Sequence, residues 1–174
     1  MIEQVKTITE LNQEDKPAFV KALGGIYESS PWVPERAFAL RPFADLAALT
    51  TALRSVVDAA DDATKLALIR AHPDLGGKLG RQSSLTPESQ REQSRLGLDA
   101  LDEDEFEAFT SLNTTYRDTF GFPFILCVGL VTHRDDILTA FRTRVRHTPK
   151  EEFAEALHQI HIIAQLRIQE LIDS

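Results

Sequence analysis

Cysteine occurs once in 174 residues, at Cys127, so no disulfide can form within the chain. It sits inside an apolar run, where a buried inert thiol is a simpler reading than a nucleophile. Basic residues are also few. Lys and Arg number 19 against 27 Asp and Glu, for a formal charge of −8, and the Arg142-x-Arg144-x-Arg146 patch is their one dense run. Nucleic acid requires a basic face and is not expected as a partner. Long apolar runs are missing too: the longest, Phe120 to Val131, is interrupted by Gly121, Pro123 and Gly129 and is too short to span a bilayer. No membrane partner is expected. The opening MIEQVKTITE has no positively charged region followed by an apolar core, and the closing Leu171-Ile172-Asp173-Ser174 is not a peroxisomal address, which makes the cytoplasm the expected location.

Motifs for several chemistries are absent as well. No Gly-x-x-x-x-Gly-Lys-Ser/Thr or Gly-x-Gly-x-x-Gly follows a strand pattern, which argues against nucleotide binding, and there is no Gly-x-Ser-x-Gly elbow. His158-x-x-His161 is one helical turn of potential metal ligands, but no Glu-x-x-His or zincin pattern accompanies it, so no metal is expected.

What the sequence does have is helical period along nearly its whole length. Residues 1–174 suit one domain, which would bury about 70% of its unfolded surface. Phe19, Ala22, Leu23, Ile26 and Tyr27 line a helix after Pro17, and Pro34 can open a short helix through Ala39. Trp32, between two prolines, reads as a core or lid residue. Asp45 caps a helix with Leu46, Leu49, Leu53, Val56 and Val57 as its buried stripe; a further helix carrying Ala63, Leu66, Ala67 and Ile69 runs into His72. Asp74 to Ser84 reads as a loop. Thr86-Pro87 is a specific start signal for the next helix, and Asp102-x-x-Glu105 resembles a capping box for one bearing Phe106, Phe109, Leu112, Asn113 and Tyr116, ended by Gly121. Phe122 to Val128 fits a buried strand or a buried helix, although Pro123 argues against a central strand. A helix with Ile137, Leu138, Phe141 and Val145 follows, and Thr148-x-x-Glu151 boxes the start of the last one, whose stripe runs from Phe153 to Leu171. The fold class is therefore all-α, a single compact helical domain of about seven or eight helices.

Three features on this frame point to chemistry. His72 ends a helix immediately before a proline, which pushes it out of the α region; an imidazole there can serve as a cap or, titrating near neutrality, can pass protons. Ser89, Glu92, Gln93 and Leu96 fall at i, i+3, i+4 and i+7, so a polar face is presented by α-helical spacing. Because Arg91 and Arg95 supply a separate charged face, Glu92 and Gln93 have a cleft as an alternative to solvent. Arg167 lies on the apolar stripe of the last helix. Either it is at the stripe's edge and reaches water, or it faces inward and needs an anionic partner. Together these residues suit binding and protonating a small, polar, anionic molecule without a metal.

Four motifs also carry a family resemblance. Ser30-Pro31-Trp32, Ala71-His72-Pro73-Asp74-Leu75, Leu85-Thr86-Pro87-Glu88-Ser89-x-x-Glu92-Gln93 and Phe120-Gly121-Phe122-Pro123-Phe124 follow the order and spacing of the 2-oxo-4-hydroxy-4-carboxy-5-ureidoimidazoline (OHCU) decarboxylases of urate breakdown. The chain resembles that family through to the helix with Arg167, and departs from it at Ser94-Arg95-Leu96 and in the Arg81 to Ser84 loop. The resemblance implies a cofactor-free helical lyase, usually a homodimer, that converts OHCU to (S)-allantoin and CO2. It implies His72 as the catalytic histidine with Glu92 as its acidic partner. Substrate contacts would come from Pro73, Ser89, Gln93, Arg167 and backbone groups around Phe124 and Ile125. Two other readings compete: a noncatalytic helical binding module with Arg167 in a structural ion pair, and a hydrolase acting on a related urate intermediate.

Overall fold

In the computed structural model, which describes residues 6–78 and 85–173, helices dominate as the periodicity predicts. The described residues hold nine α-helices, two 3-10 turns and one two-residue parallel strand pair. The all-α class holds. The far end of the expected Asp74 to Ser84 loop, with the Arg81 to Ser84 departure from the family pattern, lies outside the described residues. The chain divides into two compact units, one made of the residues up to Leu68 with those from His161 onward, the other Ile69–Ile160.

In the first unit, β1 (Lys6–Thr7) pairs in parallel with β2 (Ile172–Asp173). Helix α1 (Ile8–Gln13) is the one the periodicity does not reveal, because six residues make fewer than two turns. It is held locally instead: Thr7 and Glu10 form a capping box at its start, and Arg41 Nη1 donates to the carbonyls of Leu11 and Asn12 in its last turn and of Glu14 just past its end. Asp15 caps α2 (Lys16–Leu23). That helix stops at Leu23, before Gly24-Gly25, so Ile26 and Tyr27 reach the interior from the turn beyond it and not from the expected helical face. Helix α3 (Trp32–Ala37) begins at Trp32 rather than Pro34 and passes into a 3-10 turn at Phe38–Leu40. Trp32 is half-buried with the Arg36 guanidinium 4.8 Å from its ring centroid. In α4 (Leu46–Asp58), Asp45 accepts from the Ala48 N–H as expected, and Leu49, Leu53 and Val57 are buried.

Helix α5 (Asp62–Arg70) carries residues of both units. Its buried side chains are Leu68 and Ile69, whereas Ala63 and Ala67 of the expected stripe are exposed. A methyl group has too little apolar area to set which way a helix faces when larger side chains compete.

In the second unit, α6 (Pro87–Arg95) starts at the Thr86 cap and α7 (Glu103–Phe120) at the Asp102 cap, and Gly121 ends α7 with φ +77°. Phe122 to Val128 is neither strand nor helix. It is an irregular buried segment that closes in a 3-10 turn at Val128–Leu130. Pro123 lacks an N–H for either ladder, and aromatic packing holds the segment instead: Phe124 stacks on Phe141 at 3.8 Å and meets Tyr116 edge-on at 5.3 Å. In α8 (Arg134–Arg144), Ile137 and Phe141 are buried as predicted. Arg144, the middle residue of the Arg142-x-Arg144-x-Arg146 patch, is buried too. Helix α9 (Pro149–Leu171) starts at the Thr148–Glu151 box and continues into the first unit.

Candidate functional site

The segment after α5 is where the site begins. The His72 N–H still reaches the Ile69 carbonyl at 3.2 Å, and Pro73 then ends the helical pattern. His72 is 6% exposed. From α6, Ser89 and Gln93 point inward and Glu92 is half-buried, while Arg91 and Arg95 lie on the exposed side, so the polar face is an inner face. Gln93 joins the two pieces. Its Nε2 donates to the Asp74 carbonyl at 3.1 Å and its Oε1 accepts the Gly76 N–H at 3.1 Å.

Helix α7 holds the same segment from another direction. Asn113 Nδ2 donates to the carbonyls of Leu75 (3.0 Å) and Gly76 (3.3 Å), and Thr110 Oγ1 accepts the Lys78 N–H. Arg117 grips the buried Asp74 carboxylate with a two-bond fork at 2.9 and 2.8 Å, which pushes the guanidinium further above its already high ordinary value. Gly77, at φ +64°, lies so close to α7 that a Cβ would stand 2.7 Å from the Thr110 nitrogen. Only hydrogen fits there.

Phe124 and Ile125 lie in the same unit. The Ile125 carbonyl accepts from Arg144 Nη1, whose guanidinium carbon lies 4.4 Å from the Phe124 ring centroid. Arg144 Nε donates at 2.8 Å to Glu152 Oε1, and Glu152 is 0% exposed. Its carboxylate also accepts from the Tyr116 hydroxyl at 2.6 Å and lies 2.9 Å from His147 Nδ1. Burial and that carboxylate push the Tyr116 hydroxyl up, so it is a neutral donor. Past Ile125, the Cys127 N–H binds Gln159 Oε1 at 2.9 Å, and Arg95 donates to the carbonyls of Val128 and Val131. Cys127 is buried, as expected.

Arg167 belongs to the first unit and faces inward, which decides between its two readings. Its anionic partner is Glu28: Nη1 lies 3.0 Å from Glu28 Oε2 and 3.0 Å from the Gly25 carbonyl. In the same unit the Tyr27 hydroxyl is 2.8 Å from His161 Nδ1, and His161 Nε2 is 3.0 Å from Asp58 Oδ1. Burial pushes the Tyr27 hydroxyl up. Both His161 nitrogens thus face protein groups, and among the described residues no group of three or more His, Cys, Asp and Glu is placed to hold a metal ion.

The structure therefore places His72 and Pro73 on a loop that Gln93 binds, Ser89 and Glu92 on the same helix as Gln93, Phe124 and Ile125 in the same unit, and Arg167 in the other. Sequence reasoning does not single out Asp74, Asn113, Arg117, Arg144, Glu152 or Glu28. Asp74 has a signal, its place two residues after His72; the rest have partners known only once the chain is folded.

The model of the OHCU decarboxylase family matches residues 12–169. The chain belongs to that family. It is 43% identical over 169 residues to the 2-oxo-4-hydroxy-4-carboxy-5-ureidoimidazoline decarboxylase of Halalkalicoccus jeotgali, covering 95% of this chain and 91% of that protein. It is 42% identical over 168 residues to the protein of the same name in Haloferax volcanii, covering 97% of each. Among solved structures, a crystal structure of (S)-allantoin synthase superposes with a TM-score of 0.76 at 34% identity, over 97% of this chain and 54% of that one. All four motifs and Arg167 fall within the stretch matched by the OHCU decarboxylase family.

Proposed function

We propose that this chain is a carboxy-lyase that turns OHCU into (S)-allantoin and CO2, with His72 and Glu92 as its acid–base pair. Family membership carries the decarboxylation of OHCU in urate degradation. The observation that supports the residue assignment is Gln93, whose two amide bonds seat the α6 face carrying Ser89 and Glu92 on the loop carrying His72.

The chemistry needs no external electron sink. When the bond between the ring carbon and its carboxylate breaks, CO2 leaves, the electron pair forms a carbon–carbon double bond to the adjacent ring carbon, and the C=N pair moves onto its nitrogen, which takes up a proton. The hydroxyl on the same carbon loses its proton and becomes the product's carbonyl, and a proton is delivered to the adjacent carbon from one face, which gives a single enantiomer. His72 manages the hydroxyl or ring proton, and Glu92 orients it and sets its charge, a contribution of about 10²–10⁴-fold. Pro73, Ser89, Gln93, Arg167 and the backbone at Phe124 and Ile125 hold the substrate. The same reading has residues 1–174 act as one domain, without a cofactor, as a homodimer in the cytoplasm. Among the described residues no helix is long and apolar enough to cross a membrane.

The test generates OHCU in the cuvette with urate oxidase and hydroxyisourate hydrolase, and follows its decay by ultraviolet absorbance and the product by circular dichroism. Faster decay with optically active (S)-allantoin and stoichiometric CO2 is expected; hydrolysis would release no CO2. His72→Ala and Glu92→Ala should each abolish turnover while keeping the helical circular dichroism of the parent. Near-normal turnover in both would remove the pair from the mechanism.

A further inference from the structure

A buried guanidinium acts as a strong cation only where no opposite charge sits against it. Arg167 is 6% exposed, Glu28 is 2% exposed, and their charged atoms are 3.0 Å apart. At that separation and burial the two charges largely cancel for anything arriving later. A carboxylate brought to Arg167 would meet the repulsion of Glu28 together with the attraction of the guanidinium. A neutral carbonyl oxygen would meet N–H donors and almost no net charge.

The proposed substrate offers both kinds of group: one carboxylate, and the neutral carbonyls of its ureido arm and ring. The carboxylate is the group that leaves. A bare cation fastened on it would stabilise the charge that carbon–carbon cleavage has to disperse, so that binding would favour the ground state over the transition state. An arginine already compensated by the protein avoids this and still gives directional hydrogen bonds to a carbonyl.

We infer that Glu28 is a specificity-determining residue: by compensating Arg167, it turns that guanidinium into a receptor for the neutral ureido or ring carbonyl and disfavours a carboxylate there. This rests on the decarboxylase reading and on Arg167 as a substrate contact. Near this stretch of chain the titratable groups Tyr27, His161 and Asp58 engage one another.

The experiment compares two ligands by titration calorimetry: allantoin, which is neutral, and allantoate, its ring-opened form bearing a carboxylate. Glu28→Gln keeps the size of the side chain and removes its charge. The ratio of the allantoate to the allantoin dissociation constant should fall by about tenfold or more in this variant, from the loss of one charge at contact distance. Turnover of OHCU should fall through kcat with no rise in KM. Glu28→Asp, which keeps the charge, should keep the parent's ratio. A ratio unchanged in Glu28→Gln, with both ligands weakened in parallel, overturns the inference and leaves a merely structural pair; a ratio shifted toward allantoate in Glu28→Asp overturns it as well. If Glu28→Gln fails to fold, the double variant Glu28→Gln/Arg167→Gln replaces the ion pair by two neutral amides and should still disfavour allantoate. A preference for allantoate in that variant overturns the inference. Failure of the parent protein to form allantoin from OHCU would sink the decarboxylase reading itself, which separates the two failures.

Discussion

Two irregular, proline-bearing segments of the second unit are both pinned by side chains that reach for backbone atoms, and they are pinned with different chemistry. The segment carrying His72 is held mainly by neutral amides: Gln93 on two backbone groups and Asn113 on two carbonyls, with the Asp74–Arg117 fork at its more exposed edge. The segment carrying Phe124 and Ile125 hangs from charged groups, Arg144 on Ile125 and Arg95 further along, and Arg144 is in turn tied to the fully buried Glu152. Neutral hydrogen bonds add up singly, and each loss exposes one unmet backbone group. A buried charged hub fails as a whole, because removing one member strands the charge of the next. The loop with the proposed acid–base residue is thus distributed over many replaceable contacts, and the loop with the proposed backbone contacts depends on few irreplaceable ones.

Breaking the charged hub should have the largest effect. Glu152→Ala strands Arg144 and leaves Tyr116 and His147 without their acceptor, a loss of about 3–5 kcal/mol in urea unfolding. Asn113→Ala should be milder. It leaves the carbonyls of Leu75 and Gly76 short of a donor, at about 1–3 kcal/mol, and it displaces His72 rather than Ile125. Steady-state kinetics should therefore show kcat falling more than KM rises. Equal destabilisation by the two substitutions would erase the distinction between the segments.

Acid should give the smallest effect, and it acts at the helix starts. Hydrogen bonds from Thr148 hold the Glu151 carboxylate below the ordinary range, and the Glu105 N–H does the same for Asp102. A carboxylate whose pKa is lower folded than unfolded adds stability above its unfolded value, about 4. That contribution is lost as pH falls through the depressed value. Thermal melts below about pH 4 should show a small drop that Glu151→Gln partly flattens. This cap lies next to Glu152 in sequence, so in hydrogen exchange the Phe124 segment should loosen before the His72 segment; the reverse order would count against the comparison.

How much of this was legible depends on whether a residue's partner is near in sequence. That Ser89, Glu92, Gln93 and Leu96 share one face followed from helical spacing, although spacing left that face open between cleft and solvent, and Arg167 was marked as soon as a guanidinium stood on an apolar stripe. The caps at Asp45, Thr86 and Thr148 are contacts between residues three apart and were read directly. Arg144 and Glu152 looked like part of a basic patch and the neighbour of a cap, because what buries them is a ring cluster drawn from three separate segments. Tyr27 and His161 are 134 residues apart, and no local pattern links them. The Phe122 to Val128 segment was open between strand and helix because both expectations assume regular backbone pairing, whereas here Arg144, Gln159 and Arg95 side chains supply the partners.

The strand pair of the first unit has a consequence for how the chain can be rebuilt. Lys6 stands beside Ile172, and Thr7 beside Asp173, so segments almost the whole chain length apart are hydrogen-bonded neighbours. A bridge of a few residues would then close the polypeptide into a ring, and the ring could be reopened at an exposed turn elsewhere to give a circularly permuted protein. Any domain joined ahead of Lys6 or behind Asp173 would likewise leave from one corner of the same unit. To a fusion partner, Lys6 and Asp173 are a single point of attachment.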